Sequence, residues 1–289
     1  MFKPNPIPYQ TFTLANTTIT VKRVDRVHTT ISGNKFYKLK YNLMQAKQQG
    51  FNQILSFGGA YSNHIFAVAH ACNAYGFDSI GIIRGQELAS KSLNPTLQTA
   101  QSLGMKLEFI SRSDYRNKHT SEFLAQLKVQ YPNAYIIPEG GTNQLAVKGC
   151  SEILSKEDTQ NFDVIVLAVG TGGTIAGIMN TCISDNSNQQ VIGFSALNSD
   201  YQADDINKLI SNNYHNWQLY KDDVFGGYGK YNDELLAFIE GIKQQASIPL
   251  EPIYTGKAMY RLQQLLKQGE FKSKRILFIH TGGLQAFEY

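Results

Sequence analysis

The sequence predicts an α/β protein of two parallel-sheet domains with helices on both faces. Three observations predict it. From Gln53 onward, short β-branched runs alternate with amphipathic helical windows, and such alternation implies parallel strands covered by their crossover helices. The most strand-like run, Val164-Ile165-Val166-Leu167-Ala168, leads through a glycine-rich turn into a helix. No linker, repeat or low-complexity tract interrupts the 289 residues, so any domain boundary is a place where the chain crosses over.

Taken in order, a β-like run from Thr18 to Val24 precedes Ser32-Gly33-Asn34-Lys35-Phe36-Tyr37-Lys38-Leu39, and a helical pattern begins near Tyr41. Gly33 permits positive φ and Asn34 tolerates it, so the bend aims the Lys35 amine inward. A buried amine is pushed toward its neutral, nucleophilic form. Gln53 to Phe57 is a buried strand closed by Gly58-Gly59, and Ser62 caps a helix carrying Ile65, Val68, Ala69 and Cys72 on one face until Gly76 stops it. Ser79–Ile83 is a strand, and Asn94-Pro95 opens a helix with cap and first-turn proline in their expected order. Lys106–Ile110 and Ala134–Pro138 are strands on either side of a helix over Thr120–Tyr131. A helix near Gln144–Leu154 leads to the Val164 strand, a helix over Ile175–Cys182 and a strand over Val191–Phe194. Helices near Asp205–Ile210, Glu234–Gln245 and Lys257–Gln268 precede a last strand, Arg275–Ile279, which ends in His280-Thr281-Gly282-Gly283.

Composition is that of an ordinary globular chain, 42% hydrophobic and 17% charged. The formal charge of +4 is small and dispersed, which argues against nucleic acid and suits a small anionic ligand. The N-terminal residues carry no signal-peptide pattern, and no run approaches the roughly 18 apolar residues of a membrane span. Cys72, Cys150 and Cys182 lie far apart in helix-like segments without metal-ligand spacing. They read as small buried hydrophobes in a reducing compartment, and the expectation is a cytoplasmic protein without a metal site.

Four loops rich in glycine and hydroxyls fall at the carboxyl ends of strands, where parallel sheets bind ligands. Gly170-Thr171-Gly172-Gly173-Thr174 lets backbone N–H groups converge at a helix start and reads as a phosphate cradle. It has neither the lysine of a P-loop nor the spacing of the dinucleotide fingerprint, and no acidic residue follows at a ribose-binding position. Gly58-Gly59-Ala60-Tyr61-Ser62-Asn63-His64 offers a hydroxyl, an amide and free N–H groups to one ligand. The loops Asp223–Gly229 and Tyr254–Lys257 each place a tyrosine on a turn, Tyr228 and Tyr254. An anchoring lysine, a phosphate nest, an amide wall and hydroxyl donors together match the needs of pyridoxal 5′-phosphate.

Those same segments, in the same order along nearly the whole chain, resemble the D-cysteine desulfhydrase and 1-aminocyclopropane-1-carboxylate (ACC) deaminase family. That family belongs to the tryptophan synthase β-like, fold type II pyridoxal-phosphate enzymes. The resemblance implies a large cofactor domain (1–39 plus 148–289), a small domain (40–147) and a homodimer. It implies that Lys35 forms the Schiff base, that Asn63 bonds a cofactor ring oxygen, and that Gly170, Thr171, Gly172, Gly173 and Thr174 hold the phosphate. By the same resemblance Ser62 receives the substrate carboxylate, Tyr228 and Tyr254 flank the substrate as acid/base groups, and Thr281 or Thr255 lies near the pyridine nitrogen.

Departures from the family pattern bear on the substrate. Thr255 stands where ACC deaminases carry glutamate, and a neutral hydroxyl there suits β-elimination from D-cysteine better than cyclopropane ring opening. Tyr61 stands where the desulfhydrases carry glutamine. The expected activity is a lyase or deaminase acting on a small amino acid, desulfhydrase-like first and ACC deaminase second, with a cofactor-binding protein of little activity as a third reading.

Overall fold

The computed structural model describes residues 2–197, 202–221 and 224–286. An N-terminal hairpin, β1 (Tyr9–Leu14) and β2 (Thr17–Lys22), is joined by Ala15 and Asn16 at φ 47° and 62°. Both lie in the left-handed region, as a two-residue hairpin turn of matching twist requires. The chain continues through α1 (Asn34–Gln48), β3 (Gln53–Gly58), α2 (Asn63–Tyr75), β4 (Asp78–Arg84), α3 (Pro95–Ser102) and β5 (Met105–Ile110). Next come α4 (Arg112–Arg116), α5 (Ser121–Gln130), β6 (Ala134–Ile137), α6 (Gln144–Cys150) and α7 (Lys156–Asn161). The remainder is β7 (Val164–Val169), α8 (Gly173–Ser184), β8 (Gln190–Ser195), α9 (Gln202–Asn207), β9 (Trp217–Tyr220), α10 (Asp233–Ala246), α11 (Thr255–Lys267) and β10 (Ile276–Ile279).

Among the described residues the strands form a six-stranded sheet, β1-β2-β10-β7-β8-β9, and a four-stranded sheet, β5-β4-β3-β6. All pairings are parallel except β1 with β2, so the larger sheet carries one antiparallel edge strand that alternation alone does not reveal. Both faces are covered. Along β7, Val164, Val166 and Ala168 pack with the α10 and α11 side chains Leu235, Ile239 and Leu262, while Ile165, Leu167 and Val169 pack with Ile175 and Ile178 of α8. In the smaller sheet Leu55, Phe57, Ile80 and Ile82 meet Tyr115 and Leu127 on one side, and Ile54 and Ile83 face Ile65 and Val68 on the other.

Each sheet reverses its winding once. β4 and β5 extend from one side of β3 with β6 on the other; β8 and β9 extend from one side of β7 with β10 on the other. Such switch points open a crevice beyond the strands' carboxyl ends. The loops after β3 and β6 line one crevice and those after β7 and β10 the other.

Two local expectations need correction. The helix expected near Tyr41 begins at Asn34, so Lys35 lies in its first turn and not in a preceding loop. The helix after β8 covers Gln202–Asn207, earlier than expected. Asp223 lies outside the described residues. No helix among those described is long and apolar enough to cross a membrane, and Cys72, Cys150 and Cys182 are free, buried thiols.

Candidate active site

The bend that presents Lys35 is locked by the end of β10. Gly33 has φ 66°, and a Cβ there would come within 2.0 Å of the Thr281 carbonyl oxygen. Only glycine fits that approach. The Asn34 N–H donates to the same oxygen at 3.0 Å. Just upstream, Ser32 Oγ donates to Asp25 O at 2.9 Å, and Asp25 N–H donates to His280 O at 3.0 Å. The lysine is therefore aimed by backbone on both sides.

Lys35 and Lys38 sit one turn apart on α1. Burial, reinforced by the Lys38 charge, pulls Lys35 down to about 7, and burial pulls Lys38 down to about 8. Lys35 Nζ reaches Asn34 Oδ1 at 3.2 Å. Lys38 Nζ donates to Gly140 O and Thr142 Oγ1 at 2.9 Å each and to Thr171 Oγ1 at 3.2 Å. Neither amine has a carboxylate partner among the described residues.

The glycine-rich loop after β7 is packed from several sides. Gly172 is left-handed at φ 86°, and a Cβ there would meet Ile206 at 2.5 Å. Thr142 and Thr171 hydroxyls share a hydrogen bond at 2.5 Å, and a Cβ on Gly173 would approach Thr142 Oγ1 within 2.9 Å. Asn34 Nδ2 donates to Thr174 Oγ1 at 2.9 Å. Gly170, Thr171, Gly172, Gly173 and Thr174 are thus joined to α1 and to the Gly140–Thr142 turn at the amino end of α8, where N–H groups favour an anion.

The loop after β3 delivers Ser62, Asn63 and His64. Ser62 caps α2, accepting from Ile65 N–H at 3.2 Å. Asn63 Oδ1 accepts from Gln285, and Gly283 lies so close that a Cβ on it would fall 2.7 Å from Asn63 Nδ2. His64 Nε2 meets Ser56 Oγ at 2.8 Å while that hydroxyl donates to Ile137 O at 2.8 Å, so Nε2 carries the proton. His64 Nδ1 is buried without a hydrogen-bond partner among the described residues. Burial, with the Lys35 and Lys38 charges nearby, holds this imidazole neutral, well below its usual range.

On the opposite wall Tyr228 and Tyr254 bring their hydroxyls to 3.2 Å. The Tyr254 ring packs on Gly170, its Cε1 3.4 Å from where a Cβ would stand, and burial raises its phenol well above the usual value. Glu251 holds this corner. Its fully buried carboxylate accepts N–H bonds from Ile253 at 2.7 Å, Tyr254 at 3.0 Å and Thr255 at 2.6 Å. Thr255 Oγ1 donates to Glu251 Oε1 at 2.9 Å and accepts from Glu251 N–H at 3.2 Å, which uses its only proton. The Thr281 hydroxyl makes no hydrogen bond among the described residues.

The structure places Lys35 in the first turn of α1, Ser62 and Asn63 at the start of α2, and residues 170–174 at the start of α8. Tyr228 stands beside Tyr254, Thr255 is buried against Glu251, and Thr281 lies just after β10. Sequence reasoning assigned no part to Lys38, His64 or Glu251. The first was legible as a second lysine one helical turn after Lys35; the other two show only once the fold buries them.

The family model described as "Pyridoxal-phosphate dependent enzyme" matches residues 5–282. The chain belongs to this family. A Pyrococcus horikoshii protein provisionally named 1-aminocyclopropane-1-carboxylate deaminase is 31% identical over 93% of this chain and 86% of its own length. A mitochondrial Arabidopsis thaliana protein named bifunctional D-cysteine desulfhydrase/1-aminocyclopropane-1-carboxylate deaminase is 29% identical over 96% of this chain and 79% of its own. A crystal structure described as an ACC deaminase homologue superposes with TM-score 0.86 at 28% identity, covering 99% of this chain and 92% of the other. The pyridoxal-phosphate enzyme is therefore of fold type II, in the ACC deaminase/D-cysteine desulfhydrase group.

The residues fit the cofactor. Buried cations without a counter-charge are costly, and Lys35 and Lys38 flank a glycine nest shaped for a phosphate. At Gly33, Gly172 and Gly283 a Cβ would strike the Thr281 carbonyl, Ile206 and Asn63, so these glycines let the lysine, phosphate and Asn63 loops close on their neighbours.

Proposed function

We propose that this pyridoxal-phosphate enzyme carries out α,β-elimination on a small amino acid, with D-cysteine giving pyruvate, ammonia and sulfide. The supporting observation is the Tyr228–Tyr254 hydroxyl pair, set in a corner where the residue after Tyr254 is a threonine and the Glu251 carboxylate is spent on N–H groups and the Thr255 hydroxyl.

In this reading Lys35 is the covalent anchor. Gly170, Thr171, Gly172, Gly173 and Thr174, with Lys38, hold the phosphate; Asn63 bonds a ring oxygen. Thr281 is the better partner for the ring nitrogen, because the Thr255 proton is spent on Glu251. When bound, pyridoxal phosphate supplies a sink for the negative charge left at Cα. Ser62 and the free N–H groups at the start of α2 hold the substrate carboxylate. The neutral Lys35 Nζ takes the Cα proton, a step of a kind worth about 10² to 10⁴-fold. The Cβ–S bond then breaks, sulfur leaves with the electron pair, and the Tyr254 hydroxyl, hydrogen-bonded to Tyr228, delivers a proton to it. Water hydrolyses the released enamine to pyruvate and ammonia. The small domain over 40–147 supplies Ser62 and Asn63, and the rest of the chain supplies the phosphate nest and the tyrosines.

Incubating the holoenzyme with D-cysteine tests the reading: pyruvate and sulfide are expected in equal amounts. ACC is the second candidate, since relatives carry that name. A keto acid released from ACC and nothing from D-cysteine reverses the order. No turnover on a panel of D- and L-amino acids leaves a cofactor-binding protein.

A further inference from the structure

The loop that carries Tyr228 is strained, and a buried lysine holds it. Phe225, Gly226, Gly227 and Gly229 all have positive φ, at 59°, 80°, 95° and 75°. Glycine takes that conformation freely, but in a phenylalanine it is costly and persists only where the surroundings impose it. Two contacts with α11 do so. The Phe225 ring stands edge-on to Tyr260, with centroids 5.0 Å apart. Lys257 Nζ donates to Gly227 O at 2.8 Å, and the same oxygen accepts the Lys230 N–H at 3.2 Å.

Lys257 is only 4% exposed, a rare state for a lysine. It lies in the first turn of α11, three residues after Tyr254, and that turn is itself pinned. Gly256 N–H donates to Glu251 O at 2.8 Å, and a Cβ on Gly256 would strike Ile239 of α10 at 2.5 Å. Tyr254 therefore sits on a rigid base, whereas Tyr228 is 51% exposed on a glycine-rich loop. Their hydroxyls nevertheless meet at 3.2 Å, with the rings edge-on at 6.1 Å. The bond from Lys257 ends one residue before Tyr228, so a single helical turn carries one tyrosine and fixes the other.

We propose that Lys257 is a positioning residue: by holding Gly227 O it keeps the Tyr228 hydroxyl on that of Tyr254, the group assigned to protonating the departing sulfur. This rests on the elimination reading and adds a residue to it. A proton donor serves the reaction only when its geometry is set before the bond breaks, and a buried hydrogen bond behind the loop sets it. Lys257 exchanges no proton and touches no substrate; its effect passes through Tyr228.

Holoenzymes of Lys257→Met, Tyr228→Phe and the double variant test this with D-cysteine and with β-chloro-D-alanine, whose chloride leaves without needing a proton. In Lys257→Met, kcat on D-cysteine is expected to fall about tenfold or more with KM changed less than about twofold, while turnover of the chloro compound holds. Lys257→Arg, which keeps a donor, is expected to recover part of the loss. Adding Lys257→Met to Tyr228→Phe is expected to cost little more. Chymotryptic cleavage after Tyr228 in the apoprotein gives a readout without turnover, expected about tenfold faster in Lys257→Met. Equal losses on both substrates, or a full further loss in the double variant, overturn the proposal, as does unchanged cleavage. If no amino acid is turned over, the elimination reading fails, and cleavage after Tyr228 decides this one. Should Lys257→Met not fold, Lys257→Gln carries the same comparisons.

Discussion

Asn34 Nδ2 donates to Thr174 Oγ1 across 2.9 Å, joining residues 140 apart in sequence. The bend that aims Lys35 and the loop assigned to the phosphate are thereby one unit. Replacing Asn34 with Ala removes the donor and leaves the buried Thr174 hydroxyl without it. Urea unfolding of the apoprotein is expected to show a loss of about 1 kcal/mol, and the cofactor to bind less tightly by about the same free energy.

Lys38 ties the Gly140–Thr142 turn to Thr171 while lending its charge to the nest. Lys38→Met keeps much of the aliphatic volume and deletes the charge and its bonds. A hydrogen bond from a charged group contributes about 1.5–3 kcal/mol, so titration with pyridoxal phosphate is expected to show affinity about tenfold to a hundredfold weaker. Unaltered affinity would remove Lys38 from the phosphate site.

The low Lys35 value sets a pH dependence. The free amine is the nucleophile, and its folded value of about 7 lies below the ordinary 10.5. Neutral amine therefore grows as pH rises through about 7. Reconstitution of apoprotein at fixed cofactor concentration is expected to speed up about tenfold per unit below that value and to level above it. A rate still climbing at pH 9 contradicts the lowered value. Lys35→Gln should flatten the profile.

Glu251 gathers the N–H groups of Ile253, Tyr254 and Thr255 on one buried carboxylate. Glu251→Ala leaves those donors unpaired at the start of α11. Each buried orphan costs about 1–3 kcal/mol, so chemical denaturation is expected to register a loss of about 3 kcal/mol or more. Glu251→Gln, which retains an acceptor oxygen, is expected to lose less.

Much of this was legible along the chain. Ser62 and Asn94 cap helices as short polar residues before apolar windows do, and the glycine-rich turns after β7 and β10 stand at the carboxyl ends of their strands. The start of α1 was not legible. Nothing in Asn34-Lys35-Phe36 distinguishes a first helical turn from a loop until Gly33 is pinned against Thr281, a contact made by the far end of the sequence. β1 escaped because its alternation, with Phe12 and Leu14 inward, belongs to a half-exposed edge strand and not to the apolar runs of the parallel core. Glu251 reads as an ordinary surface carboxylate, and only tertiary burial makes it the cap of a helix four residues on.

The account stands on Lys35 as the residue that anchors the cofactor. Borohydride reduction of the reconstituted holoenzyme, followed by proteolysis and mass spectrometry, locates that anchor directly. The pyridoxyl label is predicted on the peptide holding Lys35, at that residue, with loss of the visible absorption band in Lys35→Ala. A label on Lys38 or any other lysine, or a Lys35→Ala protein with an unchanged visible spectrum, would contradict it.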